Sequence, residues 1–268
     1  MNYQPILPGT GLVGWKLLNR TMETQQAALN QSAEITRDTA YFEANIASVE
    51  TAEQLVDDPR LLRVALGAYG LQDDLDNRYF IRKILEEGTR ETDALANKMA
   101  DDRYTQFAAA FGFDQFSGAN TYSPAFAREV VDRFNRASFE QAVGIQDEAL
   151  RIALYADRAL PELATDNSAT EDSRWFTVMG VPALRQMFQT ALHLPDSFSQ
   201  LDLDRQLDVF REKSHTRFGV SEVADFADPE VRERLVEQYL LQRQLKESTA
   251  YSGMSVALTL LQNSPRQA

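Results

Sequence analysis

An all-α, multihelical protein with degenerate helical repeats, one long helix and no significant sheet is the fold class this sequence predicts. Three observations predict it. Capped amphipathic segments recur along the chain, led by EQLVDDPRLLRVALGAYGL (residues 53–71). Apolar residues fall at spacings of three and four throughout, and β-branched residues sit on those same spacings. Strict alternation never lasts long enough to build a strand.

The leading segment shows how each helix is specified. Asp58 supplies an N-cap carboxylate, and Pro59 follows at the first helical position, where a missing N–H costs nothing. Leu61, Leu62, Ala65, Leu66 and Tyr69 form one apolar face. Gly70 ends the helix, because glycine enters the left-handed conformation without a Cβ clash. The phrase returns twice. Asp101-Asp102-Arg103 opens a run closing on Ala110-Phe111-Gly112-Phe113, which matches Ala68-Tyr69-Gly70-Leu71. Asp228-Pro229 opens a third, with Tyr239 as far from Asp228 as Tyr69 is from Asp58. The unequal insertions between copies exclude a regular solenoid.

In chain order, the proline- and glycine-bearing residues 1–11 predict an extended entry. Leu12–Asn30 is the first helix, with Trp15, Leu18 and Met22 on one side. Arg37–Val49 is the second, carrying Tyr41, Phe42 and Ile46, followed by a short turn at Ala52–Val56. Asp73–Gly88 forms the next unit, capped at Asp76, and Glu91–Ala100 a short helix. Residues 112–123 read as a loop and hinge. Ser123-Pro124 begins the longest pattern, running to about Leu160, roughly 50 Å if unbroken. Residues 161–173 read as a polar linker. Helices from Pro182 to Leu194, Leu203 to Ser214, Asp228 to Lys246 and 249 to 262 complete the chain, with a short piece at Phe218–Phe226. The expected organisation is a repeat region at 1–115, a connecting helix at 123–161, a C-terminal region at 170–262 and a tail at 263–268, within either one integrated domain or several.

Composition bounds the function. With 27 basic against 40 acidic residues the net charge is −13, which disfavours nucleic-acid phosphates and anionic membrane surfaces and suits a soluble chain or a basic partner. The chain has no cysteine, so thiolate chemistry and cysteine metal sites are excluded. No apolar run is long enough to cross a bilayer. The N-terminus has neither a basic region nor a signal-length apolar core. Cytoplasm is therefore the expected compartment, with export that needs no cleaved signal left open.

Local motifs resolve into structure more readily than chemistry. Gly9-x-Gly11-x-x-Gly14 matches the dinucleotide-loop spacing, but no strand precedes it, so the glycines read as a loose helix entry. Asp73, Asp74, Asp76 and Asn77 suggest a calcium loop without its central glycine or terminal glutamate, and read as caps. His193 and His215 are too far apart in sequence for a local metal pair. No catalytic, cofactor or metal residues are expected. Phe107, Phe111, Phe113, Phe116 and Tyr122 cluster near the first loop, either as core or as a groove for a partner helix.

The stretches GWKLLNRTMETQ (14–25), DTAYFEANI (38–46), LVDDPRLLRVALGAYGL (55–71), RYFIRKILEEGT (78–89) and LANKMADDRYTQFAAAFGF (95–113) resemble a bacterial domain-of-unknown-function family whose genes lie among flagellar genes. The resemblance is dense over residues 10–115 and looser in the last third. It implies an all-helical fold and supplies no catalytic residues. The expected function is a noncatalytic interaction factor in flagellar assembly or motor function, binding a protein partner. An enzyme using carboxylates and a subunit that polymerises through its terminal helices are the alternatives.

Overall fold

The computed structural model describes residues 3–116, 118–166 and 169–262, and side chains up to residue 248. Thirteen α-helices and no strand occur among the described residues. They are α1 Gly11–Asn30, α2 Ala33–Asn45, α3 Ala52–Asp57, α4 Pro59–Ala68, α5 Arg78–Glu87, α6 Leu95–Lys98 and α7 Arg103–Phe111. Then come α8 Pro124–Gly144, α9 Glu148–Ala164, α10 Glu171–Gly180, α11 Pro182–Ala191, α12 Leu203–Phe218 and α13 Pro229–Gln262. The tail at 263–268 lies outside the described residues.

The apolar faces sort into two cores. Helices α2–α5 and α7, with Ala96 of α6, bury Phe42, Leu62, Leu66, Ile84, Phe107 and Phe111 in the first. Helices α1 and α9–α13 build the second around Trp15, Trp175, Phe188, Phe210, Phe226 and Tyr239. Helix α8 serves both: Phe126, Val130 and Phe134 enter the first core, Phe139 and Val143 the second. The first helix, grouped by sequence with the N-terminal repeats, thus belongs with the C-terminal lobe. Trp15 Nε1 donates to Glu233 of α13 at 3.3 Å, and Lys16 pairs with Glu237 at 3.2 Å.

The long helix expected over 123–161 is two helices folded back on each other. Asp147 takes an extended conformation and its carboxylate accepts the Leu150 N–H at 3.1 Å, founding a new helix three residues after Gly144. Gly144 eases the tight elbow, since a Cβ there would push the Arg151 side chain aside.

Other boundaries shift for local reasons. Helix α2 starts at Ala33, four residues before its expected start, and its last turn tightens into a 3₁₀ turn at Ile46–Ser48. The expected linker at 161–173 is helical at both ends, because α9 runs through Pro161 to Ala164 and α10 begins at Glu171, where the Thr170 side chain accepts the Ser173 N–H. Asn77, not Asp76, precedes α5, and the 91–100 helix contracts to one turn. Helix α12 continues to Phe218 and stops at left-handed Gly219. The last two expected helices are the single helix α13, because nothing between Lys246 and residue 249 breaks it.

Candidate functional site: a cleft between the two lobes

The repeated caps position the lobes. Asp58 accepts the Arg60 and Leu61 N–H groups at 2.9 and 3.1 Å, and the Tyr41 hydroxyl at 2.7 Å. Burial alone would raise the Asp58 carboxyl, but these three donors hold it below its ordinary value. Gly70 (φ +70°) lets the Leu71 N–H reach back to the Leu66 carbonyl at 2.9 Å, and Gly112 (φ +63°) ends α7. Asp228, before Pro229, accepts the Glu230 N–H at 2.8 Å. The middle copy differs: Asp102 makes no cap and instead accepts the Thr177 hydroxyl, tying α7 to α10 across the lobes.

The C-terminal end of α4 and helices α7 and α8 face α9, α10 and α11 across a cavity of about 380 Å³. Tyr69, Arg103, Arg133, Tyr155, Arg158 and Thr177 are among its walls. Its three arginines are committed to carboxylates. Arg103 binds Asp101 at 2.6 Å and also donates to the Gly70 carbonyl. Arg133 contacts Glu129 at 3.2 Å and Glu162 at 3.7 Å. Arg158 grips Glu140 at 2.7 Å. Burial disfavours the Arg158 charge, but Glu140 outweighs it and raises the guanidinium pKa. Burial lifts the Tyr69 phenol to about 12 despite nearby Arg133, and lifts Tyr155 as well. Both phenols keep their protons at neutral pH, so they can donate hydrogen bonds but not act as bases. This half of the cleft holds the lobes together.

Beyond Gln106, Leu163, Asp166 and Thr177, which line both spaces, the cleft opens into a groove of about 620 Å³. Met99, Leu163, Phe176, Met179 and Leu203 give it an apolar lining. Phe176 is 38% exposed and Leu203 57%, and Leu201 beside it is also exposed. Sequence reasoning did not single these residues out. One signal was present: Trp175 and Phe176 are adjacent on a helix, so burying Trp175 turns Phe176 away from the core.

The five rings expected as either core or groove divide between buried and exposed positions. Phe107 and Phe111 are wholly buried and tilted against each other, Phe107 in edge contact with Tyr69 and Phe111 with Phe126. Phe113 is half-buried and stacks on Phe111. Phe116 is 94% exposed beneath the Arg90 guanidinium, and Tyr122 is also exposed. The other motifs are equally structural. Asp74 accepts Asn77 and the Tyr104 hydroxyl, at 2.8 and 2.7 Å. His193 is the left-handed stop after α11 and lies 3.2 Å from Gln242, whereas His215 is exposed on α12. No three potential ligands from His, Asp and Glu converge among the described residues. The carboxylate with a raised pKa is Glu222, lifted by burial and a hydrogen bond shared with Glu171. Glu171 itself accepts the Val223 N–H at 2.9 Å, and neither carboxylate lines the cleft.

The class so defined is an all-helical protein of two cores sharing α8, with a pinned, partly apolar cleft between them. The chain belongs to DUF1217, a family of proteins of unknown function, whose model matches residues 68–231. That span contains every residue named above as lining the cavity or the groove. The crystal structure of Protein AGR_C_984 from Agrobacterium tumefaciens is similar, with a TM-score of 0.73 and 26% identity over 91% of this chain and 99% of that one. No curated protein matches this chain. No helix among the described residues is long and apolar enough to cross a membrane.

Proposed function

We propose that this protein acts by contact, receiving an amphipathic partner helix in the groove between α6–α7 and α10–α12. The observation that carries this reading is the exposed apolar rim of Phe176, Leu201 and Leu203 beside a groove floored by Met99, Leu163 and Met179. Apolar side chains left in water at a concave surface favour burial against a complementary stripe. A net charge of −13 favours a basic partner and speeds its encounter. The resemblance to a family encoded among flagellar genes supports a flagellar partner, in assembly or motor function.

The test is capture of partners from motile cells with the wild-type chain and with Phe176→Asp and Leu203→Asp variants. The expected result is a flagellar component recovered by the wild type and lost by both variants, with motility impaired on deletion. Normal motility after deletion, together with capture of no flagellar component, would discard the proposal.

A further inference from the structure

Helix α2 turns Phe42 into the first core, and Asp38 stands one turn earlier on the same face. Its carboxylate is carried inside with that face, so that Asp38 is only 7% exposed. The cation nearest it is Arg63 of α4 at 3.6 Å, too long for a hydrogen bond, and half of the Arg63 side chain lies in water. Among the described residues no donor hydrogen-bonds the Asp38 carboxylate. A buried carboxylate is costly in that state and ordinarily collects donors.

Asp38 lines a cavity of about 430 Å³ where α1, α2, α4 and α8 meet, a size that suits a small molecule. Gly67 lets α4 lie against Phe134 of α8, since a Cβ there would strike the ring. Leu29, Ile35, Leu75, Phe134 and Ala142 supply apolar walls. Gln72 adds a second acceptor without a donor: its Oε1 is buried and accepts no hydrogen bond. Glu34 and Asp38 against Arg63 leave the lining one negative charge in excess. None of these residues lines the cleft or the partner groove.

We infer that this cavity binds a small organic cation, a primary ammonium group on an aliphatic stem. An ammonium brings a positive charge and three N–H donors, which are what Asp38 and Gln72 lack. The stem leaves water against the apolar walls. An anion would meet the Asp38 charge, and a neutral apolar ligand would leave both acceptors unpaired. This inference is independent of the partner groove.

The test titrates the full, isotope-labelled chain with n-hexylammonium, n-hexanol and n-hexanoate, read by amide chemical shifts. Hexylammonium should give saturable shifts centred on residues 34–38, 72–75 and 138–142. Hexanol should bind about tenfold more weakly or worse, and hexanoate not at all. Asp38→Asn keeps the side-chain shape and should weaken hexylammonium about tenfold or more, as the loss of a charge-assisted hydrogen bond implies. Gln72→Leu should weaken it severalfold without lowering the melting temperature, because it removes an unpaired buried acceptor. Equal affinity for hexanol and hexylammonium would overturn the inference, as would shifts centred elsewhere or no saturable shift. These outcomes need only the wild-type chain. Affinity indifferent to Asp38→Asn would overturn it as well.

Discussion

Arg158 on α9 binds Glu140 on α8 through two hydrogen bonds, at 2.7 and 3.2 Å, across the hairpin that joins the lobes. Both side chains are largely withdrawn from water. Removing the guanidinium leaves a buried carboxylate without its cation. Arg158→Met should therefore cost about 3 kcal/mol in urea unfolding, and Arg158→Met with Glu140→Leu should recover most of it. A double variant no better than the single one would show that the pair's partners elsewhere in the cleft matter more.

Asp58 should give the chain an acid-sensitive cap. Its folded pKa lies below the unfolded value, so its contribution is full above that value and fades as pH falls through the folded pKa. Tyr41 runs the other way: chiefly through its hydrogen bond to Asp58, its pKa is raised, and its contribution fades as pH rises through the folded value. Asp58→Ala should lose about 1 kcal/mol at neutral pH and flatten the acid limb of a stability–pH curve. An unchanged acid limb would remove Asp58 from the account.

Gly180, the last residue of α10, passes so close to the loop before α7 that a Cβ would overlap the Ala100 carbonyl. Backbone cannot swing aside as a long side chain can. Gly180→Ala should destabilise the protein by about 1–3 kcal/mol. Thermal unfolding would measure this, and hydrogen exchange should show the opening at α7 and α10 first.

His193 is the non-glycine residue with positive φ, 54°, among the described residues. Left-handed backbone costs a residue with a Cβ about 1–2 kcal/mol. His193→Gly should consequently raise the melting temperature, even though it removes the contact with Gln242. A lower melting temperature would mean that this contact outweighs the strain.

The helices and many of their ends were legible because their causes are local. Asp58, Pro59 and Gly70 act within a turn of where they stand, and the three-and-four spacing of Leu61, Leu62, Ala65 and Leu66 names the buried face without reference to a partner. Failures arose where two local signals compete. Gly144 alone does not break a helix, but with the Asp147 cap and the Arg151 approach it folds the expected rod into a hairpin. The aromatic cluster divided between its two readings for a related reason: closeness in sequence put five rings near one loop, and packing sent Phe107 and Phe111 into the core and left Phe116 outside.

Sequence alone determined that this is a helical protein, where most of its helices begin, and which side chains leave water, since these follow from backbone geometry and hydrophobic periodicity over a few residues. Only the tertiary structure decided that α1 joins the C-terminal lobe, that the arginines of the cleft are already paired, and that the groove lies beside Phe176 and Leu203. Those facts depend on which apolar stripes meet across long stretches of chain. Many pairings of such stripes bury similar area, and the final choice rests on close-packed shape, such as the fit of Gly180 against Ala100, that no short stretch encodes.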